Sequence, residues 1–116
     1  MALADEAWDA AAREVERFCE QRTPEDAQAV MRLEHEVSAS KITIVERRAP
    51  WNQQVGSDWS RQPIAELRYD SASSTWALYW PRHTGRWHRY EDFPAASGVG
   101  PLLAEIDADP DGVFWG

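Results

Sequence analysis

The feature that most constrains this chain is a single change of hydrophobic period near Val30. Before it, Leu3, Ala7, Ala11, Val15, Phe18 and Cys19 recur in steps of three and four, with Trp8 widening the stripe. That spacing places them on one face of an α-helix, and Thr23-Pro24 ends it at about Arg22. Thr23-Pro24-Glu25-Asp26 then has the residues to cap a second, short helical turn. After Val30 the period is two. Met31, Leu33, His35 and Val37 alternate with Arg32, Glu34 and Glu36, as in a half-buried strand, and the β-branched run Lys41 to Arg48 reads as its returning partner.

Three further strands are expected at about Ile64–Tyr69, Thr75–Arg82 and Arg86–Tyr90. His83-Thr84-Gly85 suits a three-residue hairpin loop with glycine in the left-handed position. Residues 51–63 show no period and read as the longest loop. Val99, Leu102, Leu103 and Ile106 return to helical spacing, with Asp109-Pro110 as the stop, and the apolar tail Val113-Phe114-Trp115 should dock on the core. The expected fold is α+β: a five-stranded antiparallel meander flanked by an N-terminal and a C-terminal helix. Its 116 residues suit one domain, 1–116.

Several exclusions follow. The acidic start, Met1 to Trp8, does not have the order of a secretory signal, and no apolar run is long enough to span a bilayer. Cys19 is the only cysteine, so no disulfide framework is expected and the setting reads as cytoplasmic, with no membrane partner. His35, His83, His88 and Cys19 fit no zinc spacing, and His35 reads as a hydrogen-bonded core histidine. Asp107 to Gly112 matches the first half of an EF-hand loop, but the bidentate glutamate six residues after the glycine is missing. Neither metal nor cofactor is expected. No phosphate-binding glycine loop, nucleophile elbow or dinucleotide signature occurs, so catalytic residues are unknown and the chain reads more as a binder than as an enzyme.

Charge is the most informative pattern. The net charge is −8, yet residues 47–90 hold seven arginines against Asp58, Glu66 and Asp70, while 1–26 and 91–116 are acidic. Five of the seven tryptophans and all three tyrosines share the basic stretch. Arginines interleaved with aromatics can contact phosphates while stacking bases. The candidate binding residues are Arg48, Trp51, Arg82, Arg86, Trp87, His88, Arg89 and Tyr90. The ordinary alternative has tryptophans in the core and arginines paired with the acidic helices.

Phe18-Cys19 with Arg22, Glu46-Arg47-Arg48 with Pro50-Trp51, Trp76 to Trp80, Gly85 to Tyr90 and the tail Asp109-Pro110-Asp111-Gly112-Val113-Phe114-Trp115-Gly116 span nearly the whole chain. With these pieces the sequence resembles a family of small bacterial proteins classed as a domain of unknown function, ending in an Asp-Pro-x-Gly-x-Phe-Trp-Gly tail. The resemblance implies one bacterial cytosolic domain and carries no activity with it. The expected function is therefore a small interaction module whose basic aromatic surface meets an anionic partner, a protein or single-stranded nucleic acid. The alternative is a nuclease-like hydrolase using Glu46 or Glu66 with His88.

Overall fold

Helix α1 (Asp5–Arg22) buries Ala11, Val15 and Cys19 of the expected stripe and packs Trp8 and Phe18 half-buried beside them, while Ala7 is exposed and Leu3 lies outside the described residues. Asp5 and Glu6 lie in its first turn and Arg22 in its last, which complements the helix dipole. These details come from a computed structural model that describes residues 4–50 and 58–115.

Thr23 ends α1 but does not cap the short 3₁₀ turn Glu25–Ala27 that follows. Its buried hydroxyl donates to the Cys19 carbonyl at 2.9 Å and accepts from the Leu33 N–H at 3.0 Å. One side chain thus ties the end of α1 to the first strand and satisfies a strand amide that no neighbouring strand reaches.

Strands β1 (Met31–Ser38), β2 (Lys41–Arg48), β3 (Gln62–Asp70), β4 (Thr75–Pro81) and β5 (Trp87–Arg89) form one antiparallel sheet in the order β1-β2-β3-β4-β5. The meander is as the alternation predicted. The β4–β5 loop has its glycine at Gly85 with φ 84°, and the Arg82 N–H donates to the Arg86 carbonyl at 2.9 Å to close it. Beyond β5, Ala96 exchanges two backbone hydrogen bonds with Trp76 and extends the sheet locally.

One sheet face carries Leu33, Ile42, Ile44, Ala65, Leu67, Trp76 and Leu78, which form one cluster with α1 and with Leu102, Leu103 and Ile106 of α2 (Gly100–Ala108). A fully buried side chain of this size contributes about 1.5–3 kcal/mol. Gly100 marks a close approach of α2 to α1, because a Cβ there would meet Glu14 Oε1 at 2.9 Å. Among the described residues, no helix is long and apolar enough to cross a membrane.

The tail docks as expected. Asp109, at a left-handed φ of 42°, turns the chain after α2, and Phe114 is buried against Tyr90 with ring centroids 5.2 Å apart. The Trp115 indole N–H donates to the Ile106 carbonyl at 2.7 Å, and the Arg22 guanidinium lies 4.1 Å from the centre of its ring. His35 differs from expectation: it is only half-buried and has no side-chain hydrogen bond among the described residues, because β1 is an edge strand.

Candidate functional site

The second sheet face is not apolar. Register places Thr43 opposite Glu66, Glu66 opposite Tyr79, and Tyr79 opposite Arg89, a row that crosses four strands. Glu66 is only 2% exposed, which a carboxylate tolerates when its oxygens are filled. Arg68 Nε donates to Oε1 at 2.6 Å, the Thr43 hydroxyl donates to Oε2 at 3.0 Å, and Lys41 Nζ stands 3.8 Å from Oε1. The Arg68 guanidinium also lies 3.9 Å from the centre of the Tyr79 ring. Nearer the β1 edge, Arg61 pairs with Glu36, Arg47 lies between Glu34 and Glu36, and Arg32 sits over Trp59. The Arg61 hydrogen bond holds the Glu36 carboxyl below its ordinary range.

Strand alternation divides the β5 residues between the two faces. Arg89 opposes Tyr79 and Trp87 opposes Pro81, so both belong to the polar face, whereas His88 opposes Trp80 and belongs with Tyr90 to the helix side. There Trp80 and His88 pack with ring centroids 5.7 Å apart, and the Arg82 guanidinium lies 5.8 Å from the Trp80 ring centre. An open groove of about 420 Å³ runs along this edge. Arg82, His88, Arg89 and Tyr90 line it together with Glu91, Asp92 and Asp111, so cationic and acidic side chains share it.

The Tyr90 hydroxyl donates to Glu105 at 2.9 Å and lies 3.2 Å from Asp111 Oδ2. Burial, then these carboxylates, push its phenol above the ordinary range. The Asp92 carboxyl is raised as well, chiefly by its hydrogen bond to Asp111. Cys19, buried among apolar neighbours and near Glu16, Glu20 and Glu34, is pushed up to about 12 and is a poor nucleophile at neutral pH.

Of the eight residues singled out in the sequence, Arg82, His88, Arg89 and Tyr90 meet at the groove, while Trp87 and the exposed Arg86 complete the same hairpin. Arg48 lies at the exposed end of β2, two strands from β4, and pairs with Glu46 of its own strand. Trp51 lies outside the described residues. Glu66 and His88 occupy opposite faces, so the sheet does not bring that carboxylate and histidine together. Tyr79, Trp80 and Arg68 were not among the candidate binding residues; alternation within Trp76-Ala77-Leu78-Tyr79-Trp80 carried the signal that would have assigned the first two, and alternation within Glu66-Leu67-Arg68 the third. Among the described residues, no group of three or more His, Cys, Asp or Glu side chains is arranged to hold a metal ion.

The family model described as Domain of unknown function (DUF3024) matches residues 4–116. The chain belongs to this family. Within this DUF3024 chain, the match takes in both helices and all five strands, including the β4–β5 hairpin. No curated protein and no solved structure matched the chain.

Proposed function

We propose that this domain is a small binding module that engages an anionic partner through the β4–β5 hairpin. One observation carries the reading. Arg47, Arg48, Arg61 and Arg68 each stand within ion-pair distance of a carboxylate, whereas Arg82, Arg86 and Arg89 do not, among the described residues. Three uncompensated guanidinium groups on one short hairpin favour an anion supplied from outside. We infer a bacterial cytoplasmic setting, in keeping with the lone free thiol of Cys19.

The test is retention on a sulfated polysaccharide at about 20 mM salt, where exposed charges are weakly screened. The wild type should be held and R82Q/R86Q/R89Q released at much lower salt. A folded wild type that flows through would remove the reading. A hydrolytic alternative draws on His88, Asp92 and Asp111 lining one groove. Turnover of a chromogenic phosphodiester that disappears in His88→Ala would favour it.

A further inference from the structure

We propose that the polar sheet face beside the hairpin binds single-stranded nucleic acid, with a base stacked on Trp87 and an adjoining phosphate held by Arg89. This rests on the anionic reading above and names the class of its partner.

The described tryptophans separate into two kinds. Trp8 packs on Trp76 at 5.2 Å, Trp80 on His88, Trp59 under Arg32 and Trp115 under Arg22. Trp87 is half-buried and has neither a ring neighbour nor a cation over it, among the described residues. An indole held by strand geometry, with no other ring and no cation over it among the described residues, can serve as a stacking platform for any base.

The cations around it have no ion-pair partner among the described residues. Between Thr75 and Tyr90 the sequence holds Arg82, Arg86 and Arg89 and no acid. Arg89 is two residues from Trp87 on the same face, about 6.5 Å along the strand, close to the spacing between a base and the phosphates beside it. The carboxylate on this face nearest in register, Glu66, is buried and already neutralised by Arg68 and Lys41. The overall charge of −8 does not forbid binding, since the acids concentrate in residues 1–26 and 91–116 and strand alternation places Trp87 and Arg89 on the sheet face opposite Tyr90, while the Arg89 side chain also lines the groove it shares with Asp92 and Asp111.

The test compares two fluorescein-labelled probes of about fifteen nucleotides, oligo(U) and an abasic sugar-phosphate strand of equal length, by anisotropy at about 20 mM salt. Oligo(U) should bind at least about fivefold more tightly, the lower bound expected for one stacked base. Trp87→Ala should remove that advantage and Trp87→Phe retain much of it. Arg89→Gln should weaken both probes and reduce the dependence of log K on log salt by about one unit. Circular dichroism of each variant confirms folding, and if Trp87→Ala does not fold, quenching of wild-type tryptophan emission by oligo(U) but not by the abasic strand replaces it. Equal binding of the two probes would overturn base stacking and leave the anionic module standing. Binding of neither would overturn both.

Discussion

The carboxylate of Asp109 accepts the backbone N–H of Trp115 at 2.9 Å, six residues further along the chain. It also accepts the Val113 and Phe114 amides, at 2.9 and 3.2 Å. The oxygens that a calcium loop would turn on a cation are here turned on the protein's own tail. Asp109→Ala should therefore lower stability by about 1–3 kcal/mol by leaving amides unpaired. Equilibrium urea unfolding measures the change, and an unaltered midpoint would show the tail to be held by apolar burial alone.

Phe114 tests that apolar part. It is 5% exposed and packed against Tyr90, so Phe114→Ala should cost about 3–5 kcal/mol. The same urea series reads it, and a loss below about 1 kcal/mol would mean that the tail collapses into the cavity or detaches without penalty.

Thr23 supports a different junction. Thr23→Val keeps the shape but leaves the Leu33 N–H without its acceptor, so a loss of about 1–3 kcal/mol is expected. Thr23→Ser keeps the hydroxyl and should cost less. Equal losses in the two variants would assign the effect to packing of the methyl group.

The Arg61–Glu36 pair sets a pH dependence of known sign. Its hydrogen bond lowers the Glu36 pKa below the ordinary 4.5, so its contribution is present above about that pH and fades as pH falls through the lowered value. Thermal melts between pH 6 and 3 should show a shallower acid loss in Glu36→Gln than in the wild type. Parallel curves would leave the pair without a stabilising role, the common outcome for exposed pairs.

Asp92 acts with the opposite sign. Its folded value is raised above 3.8, so the native state gains as pH falls and protonates it, and at neutral pH its charge repels Asp111. Asp92→Asn should raise the melting temperature at pH 7, with the gain shrinking toward pH 4. A gain that stays constant across that range would point to a cause other than charge.

Much of the fold was legible because its elements are long and strongly periodic. Met31 to Val37 and Lys41 to Arg48 differ from α1 in period, and a His-Thr-Gly tripeptide between two aromatic runs specifies a hairpin. The site was legible only as a segment. Linear reading joined Trp87, His88, Arg89 and Tyr90, but a strand turns neighbours to opposite faces, so the run serves two surfaces. Pairing was harder still: Arg48 found Glu46 two residues away rather than an acid of the helices, and Glu66 became buried through partners on β2 and β3. Such matches depend on register and on side-chain reach, which composition does not encode.

The three-residue loop between Arg82 and Arg86 consequently acts as a selector. With Gly85 supplying the left-handed step, the returning strand enters in the phase that shows Trp87 and Arg89 on one side and hides Tyr90 on the other. One residue more or fewer would invert that phase, thrusting a guanidinium toward the apolar core and lifting the tyrosine into water. The length of this loop therefore specifies the chemistry of the exposed surface as firmly as the residues that compose it.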